Sequence, residues 1–439
     1  MSRVRRIPFH PFLFGVYAIL ALLAHNISQV NINIAIRSLV IVSLSALIAL
    51  IVVRLIVKDW HKAAIIVSIL VVFFFTYGHL YSTFEDVAIF GFVIGRHRFL
   101  LLIWLVIFLL GSWWAIKSND KRFVITYVLN IIAVVALIFP IFQIINYRLE
   151  TSLSFQKEPK DFNNGWEFQG IVDLQISDEG IPPDIYYIIL DMYVRDDVLM
   201  EVFHYDNSPF LNSLIEEGFF IARCSQSNYQ DTPLSIASSL NLNYLETFAQ
   251  ELIDKEMDHY QIEPFVDGST VRRELSNLGY TIVNVESGFF LTEWKDADMY
   301  LQRQEKTVLQ SLAIGGLNEF ESMLLYSTAG MLLNEVRTLR SQVLIPLFDQ
   351  SYIERRNQIL YALDSLDTIA TSPGPKFVFV HIVVPHPPFV FGPDGEYFPR
   401  TTPLTLNLDM EDRYWDRYIE GYTGQVIFLN KRLLVAIQN

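Results

Sequence analysis

Three residues far apart in the chain are of the types from which an ester-cleaving site is built: the acid Asp191, the hydroxyl Thr232 and the imidazole His386. Asp191 closes the apolar run Ile185 to Leu190 in "PPDIYYIILDMYVRDDVL". A carboxylate left unpaired at the end of such a run is costly, so it calls for a cation, an arginine or several donors; taken alone it also reads as the N-cap of the following turn. Thr232 lies in "NYQDTPLSIASSLNLNYL", one residue before a proline, which predicts a helix starting at Pro233 with Thr232 as its N-cap. A hydroxyl at that position faces unpaired backbone N–H groups, which stabilise both an alkoxide and an incoming phosphate, and a divalent metal beside it would lower its pKa further. His386 stands between prolines in "VVPHPPFVF", presented from a stiff loop.

The neighbouring candidates read as structural. His381, inside the apolar run, is expected to be a core histidine or one that backs up the site; Asp196 and Asp197 open a helix, and His204 and His259 have no supporting context.

These residues must be held by strands and helices. Ile185 to Leu190, "YTIVNV" (280–285) and "KFVFVHIVV" (376–384) are continuous apolar runs, as expected of strands covered on both faces. Helical stretches at 208–217, 233–240, 269–278 and 305–370 separate them. Strands alternating with helices imply an α/β sandwich with a mostly parallel sheet, whose chemistry gathers at the carboxyl ends of the strands. Asp191 and the "PHPPF" segment both follow such ends.

Residues 1–147 are different. Five apolar stretches, near 12–30, 35–57, 63–82, 98–116 and 123–145, each approach the ~20 residues of a bilayer-spanning helix. A signal peptide has one such stretch, so a multi-pass transmembrane domain of five helices is expected. Arg3, Arg5 and Arg6, then Arg54, Lys58 and Lys62, then Lys117, Lys121 and Arg122 mark one side as cytoplasmic. Arg37, and Glu85, Asp86, Arg96 and Arg98, fall on the other. The N-terminus is then cytoplasmic, residues 148–180 form a polar juxtamembrane linker, and 181–439 form an extracytoplasmic domain anchored in the cytoplasmic (inner) membrane.

Charge follows the same division. Residues 1–150 carry 13 Lys and Arg against 5 Asp and Glu, leaving 20 basic and 42 acidic residues, near −22, in the remainder. Nucleic acid is excluded as a partner of a surface so acidic. Cys224 is the only cysteine, so neither an intrachain disulfide nor a thiolate zinc cluster can form, and it reads as a small buried hydrophobe.

In order and context, "PDIYYIILDMYVRDDVL", "SNYQDTPLSIASSLNLNYL" and "FVFVHIVVPHPPFVF" resemble segments of the sulfatase-like branch of the alkaline phosphatase superfamily. More specifically, they resemble its membrane-anchored envelope phosphotransferases, such as lipoteichoic acid synthases and phosphoethanolamine transferases. The resemblance covers roughly 182–439 and, in plan, the membrane part. It implies an alkaline phosphatase-like fold, Asp191 and Thr232 on a divalent metal (zinc or manganese), Thr232 as the nucleophile that becomes phosphorylated, and His386 on the transferred group or its leaving oxygen. It also implies the lipid bilayer as a partner and a lipid-linked or cell-envelope glycan substrate, in a bacterial setting.

Three departures accompany it. Met192 stands where a small residue is expected after the strand acid. The formylglycine motif C/S-x-P-x-R is absent around Thr232, which reads T-P-L-S-I, so an alcohol nucleophile and phosphoryl transfer are favoured over sulfate ester hydrolysis. The family's "DHG"-like segment is missing: the one Asp-His pair, in "EMDHYQ", has no strand before it, and the helix "YWDRYIEGYTGQVIFLNKRLLVAIQN" reaches Asn439. The expectation is thus a catalytic domain incomplete at the C-terminus, inactive as it stands or, as the alternative, a noncatalytic membrane-tethered binding protein on the same fold.

Overall fold

The computed structural model describes residues 7–27, 30, 32–85, 87–89, 92–93, 95–118, 121–156, 182–248, 259–303, 316–334, 336, 345–398 and 415–438. Arg3, Arg5, Arg6, Asp86 and most of the expected linker (157–180) lie outside them. The chain divides into two compact units that are not contiguous in sequence: Met1–Glu150 with Leu312–Gln350 and Pro403–Leu406, and Thr151–Ser311 with Ser351–Thr402 and Asn407–Asn439.

The first unit is helical: α1 (His10–His25), α2 (Ile36–Val57), α3 (Trp60–Phe84), α4 (His97–Lys117) and α5 (Arg122–Gln156), with a short antiparallel pair, β1 (Ala88–Ile89) and β2 (Phe92–Val93). Five helices form where five apolar stretches stand, and among the described residues four helices are long and apolar enough to cross a membrane. The 16 residues of α1 reach roughly 24 Å, short of the ~30 Å hydrocarbon layer. The structure therefore supports four spans by length rather than five. Residues 148–156, expected to begin the linker, instead continue α5.

Part of the later chain belongs to this helical unit. A further helix, Glu319–Tyr326, opens on a capping box in which Asn318 and Glu321 satisfy each other's backbone N–H. Glu321 also forms a bidentate ion pair with Arg37 at the start of α2, and Arg37 donates to the Gly316 carbonyl at 2.6 Å. Phe320 is fully buried among Ile19, Leu23, Ile27 and Ala35. Gly78 on α3 lies so close to the Ser327 and Thr328 backbone that no side chain fits there.

Among the described residues the second unit is built on a sheet of four strands in the order β3-β6-β4-β5, with every neighbouring pair parallel: β3 (Ile185–Leu190), β4 (Thr281–Val285), β5 (Met299–Leu301) and β6 (Lys376–Ile382). The first, second and fourth of these in sequence are the three apolar runs; the short Met299–Leu301 strand carried no such signal. Register is set with Leu190 opposite Ile382, so the segments holding Asp191 and His386 leave adjacent strands at the same end. At the other end the buried Lys376 ammonium meets Asp184 at 2.6 Å.

In chain order the sheet unit's helices are α6 (Asp196–Glu201), α7 (Ser208–Glu216), α8 (Thr232–Leu240), α9 (Leu245–Phe248), α10 (His259–Asp267) and α11 (Thr270–Asn277); the helix Glu319–Tyr326 of the first unit is α12, followed by α13 (Ile345–Ala370) and α14 (Trp415–Gln438). The core lies between the sheet and α8, α10 and α11, with Trp294, Phe377, Phe379, Leu240, Ala237 and Val266 almost without exposure. Burying a side chain of Phe or Leu size is worth roughly 1.5–3 kcal/mol, so this cluster dominates the unit's stability.

Candidate active site

Asp191 is the first residue beyond β3. Its backbone N–H donates to the Ile382 carbonyl at 3.0 Å, and its own carbonyl accepts from the His386 N–H at 3.1 Å. The acid and the His-Pro loop are thus stitched together by two main-chain bonds that prolong the β3–β6 pairing.

Thr232 comes to the same place from 41 residues away. Its hydroxyl donates to Asp191 Oδ1 at 3.1 Å. The helix cap is not Thr232 but Asp231, whose carboxylate accepts from the Leu234 N–H at 3.2 Å, so Thr232 is the first residue of α8 and Pro233 the second. Capping by Asp231 leaves the Thr232 hydroxyl free of the capping task. Asn228 and Ser238 tie the preceding loop to the same helix at 2.7 Å.

His381 is completely buried inside β6. Its Nε2 faces Asp191 Oδ2 at 3.9 Å, too long for a hydrogen bond, and has no other hydrogen-bond partner among the described residues. Its Nδ1 lies 3.0 Å from the Thr292 hydroxyl. His381 is therefore a core histidine turned towards the acid, and Thr292 is the residue that orients it; nothing in the sequence around Thr292 signals this.

His386 is half-buried, and its Nδ1 contacts the Pro387 carbonyl. A carbonyl only accepts, so Nδ1 carries the proton and the uncharged ring leaves Nε2 as an acceptor. Burial holds the His386 pKa below the ordinary histidine value, outweighing the pull of Asp191. Burial also pushes Asp191 upward, but the His381 and His386 imidazoles and the Thr232 hydroxyl outweigh it, and the carboxyl titrates below its ordinary range. At neutral pH the site holds a carboxylate and a neutral imidazole. Arg355, which sequence reasoning missed, donates from Nη2 to the carbonyls of Val383, His386 and Pro387 at 2.9, 3.0 and 3.3 Å.

Met192 adopts a left-handed backbone, φ 62°, which explains why a small residue is expected there. The turn forms nonetheless, with the Met192 side chain exposed. Cys224 is exposed rather than buried, because it lies on the loop between α7 and α8 and not in an element that packs. His204, also left-handed, and His259, the first residue of α10, take no part in the described contacts of the site.

Among the described residues no group of three or more His, Cys, Asp or Glu side chains is gathered closely enough to hold a metal ion. Asp191 and Thr232 face one another, but these two with the more distant His381 do not complete the site expected for zinc or manganese.

No protein-family model matches the chain, and no curated protein matches it. Among solved structures it is similar to the integral membrane protein lipooligosaccharide phosphoethanolamine transferase A from Neisseria meningitidis, at 13% identity and a TM-score of 0.30, over 100% of this chain and 79% of that one.

Proposed function

We propose that the chain is a membrane-anchored transferase or hydrolase of phosphoryl esters acting at the outer face of the cytoplasmic membrane, with Thr232 as its nucleophile. The observation that carries this reading is the 3.1 Å bond from the Thr232 hydroxyl to Asp191 at the carboxyl end of a parallel strand, between residues 41 apart in sequence. An ionised acid that accepts the hydroxyl proton turns an oxygen lone pair outward.

In the first half-reaction the Thr232 oxygen bonds to phosphorus, its proton passes to Asp191, and the bond from phosphorus to the leaving oxygen breaks. In the second, water or an alcohol gives its proton to His386 Nε2 and displaces Thr232 from phosphorus. The ester's leaving oxygen takes up the proton held by Asp191 in the first half-reaction, and the Thr232 oxygen takes up the one held by His386 in the second, so every group ends the cycle in its starting state. A lipid-linked or envelope glycan ester is the substrate class that suits an enzyme held at a bilayer.

The outer location rests on the basic loops. Arg54, Lys58 and Lys62 join α2 to α3, and Lys117, Lys121 and Arg122 join α4 to α5, so α5 leaves the cytoplasmic side whether or not α1 spans.

Thr232→Ala in the full chain should lower turnover of a chromogenic phosphodiester by at least about 10³-fold with the fold unchanged. Acid-quenched wild-type protein incubated with substrate should carry a phosphate on Thr232 by mass spectrometry. Full activity in the alanine variant would sink the assignment.

A further inference from the structure

We infer that Tyr422 and Gln425 of α14 are positioning residues that clamp together the two turns carrying Asp191 and His386. This inference rests on the proposed reaction, in which those two residues act on one phosphorus. The two clamp residues are three apart, on one face of the helix, and almost without exposure.

Tyr422 addresses the turn after β3. Its hydroxyl donates to the Met192 carbonyl at 2.7 Å and accepts from the Val194 N–H at 3.2 Å. The first of these bonds holds the carbonyl of a residue in the left-handed region, which an L-residue other than glycine adopts only when its surroundings hold it there. Gln425 addresses the loop after β6. Its amide nitrogen donates to the Pro385 carbonyl at 3.1 Å, and its oxygen accepts from the Val390 N–H at 2.9 Å. That loop contains three prolines and so has few N–H groups with which to fix itself.

The helix can approach this closely because of its glycines. Gly421 lies directly against the Phe389 ring, where a Cβ would collide, and a Cβ at Gly424 would sit 3.3 Å from Pro393. Farther along, Asn430 accepts from the Tyr193 hydroxyl at 2.7 Å and donates to Asn207 at 2.8 Å, so the strand-end turn is held at a second point. The inner ends of the two turns already meet in the bond from the His386 N–H to the Asp191 carbonyl. Tyr422 and Gln425 hold their outer ends on one rigid rod, which sets the separation of carboxylate and imidazole.

The test uses the full chain in detergent with Tyr422→Phe, which keeps the ring packed on Phe203, and Gln425→Met, which keeps the length. Hydrogen exchange read by mass spectrometry should speed up at least tenfold at the His386 amide in both variants, although neither side chain bonds that amide. The melting temperature should stay within a few degrees of wild type. On the phosphodiester, kcat should fall at least tenfold with KM within twofold, and Gln425→Glu, which keeps the acceptor for Val390, should recover part of the loss. Unchanged exchange at His386, or a loss of activity only in proportion to lost stability, would overturn the inference. Failure of the parent reading is separate: activity insensitive to Thr232→Ala removes the reaction, while the exchange result still decides whether α14 couples the turns.

Discussion

At the level of single residues, environment rather than type decides what a carboxyl group does. Asp191 is held ionised by imidazoles and a hydroxyl. Asp267, at the end of α10, has the opposite fate: burial first, then the nearby Glu263 and Asp296, push it up to about 7, although Arg272 pulls the other way. A folded pKa above the unfolded value means that the native state binds the extra proton, so Asp267 makes stability fall as pH rises from ~4 to ~7. Asp267→Asn should therefore stabilise the sheet unit at pH 8, on the order of 1–2 kcal/mol given its partial contact with solvent, and give no gain near pH 4. Denaturant unfolding of both proteins at the two pH values checks this; an equal gain at both would show that charge is not the cause.

At the level of elements, small residues and caps determine where helices meet. Segment 316–334 is held on the transmembrane helices by a buried ion pair, a capping box and the absence of a side chain at Gly78. Gly78→Val puts a branched side chain into the Ser327–Thr328 backbone, which a packed interface cannot absorb; overpacking of this kind costs typically 1–3 kcal/mol. Limited proteolysis should then cut within 316–334 far sooner than in wild type, while the melting transition of the sheet unit is preserved. Equal protection in the variant would mean that this close approach does not hold the segment.

For the whole molecule, the proposed orientation can be read from one natural reporter. Cys224 is the only cysteine of the chain, and it is exposed on the sheet unit. A membrane-impermeant maleimide should label it in right-side-out vesicles and fail to do so in inside-out vesicles until detergent is added. The reverse pattern would put the sheet unit in the cytoplasm and remove the envelope substrates from consideration.

Much of the plan was legible because it depends on local pattern. Length and apolarity marked α2 to α5, and continuous apolar runs marked β3, β4 and β6, since a strand covered on both faces needs no alternation. Asp191, Thr232 and His386 stand out in the sequence because each follows a strand end or opens a helix, where side chains face a common crevice. Other features depend on partners distant in the chain. The packing of Thr232 against Asp191, 41 residues away, is one of them. The return of 316–334 to the helical unit, and the reach of Tyr422 and Gln425 to turns more than thirty residues away, leave no local signature. Periodicity and turn chemistry are properties of a dozen adjacent residues and can be read in order; complementarity between surfaces comes into being only when the chain has folded.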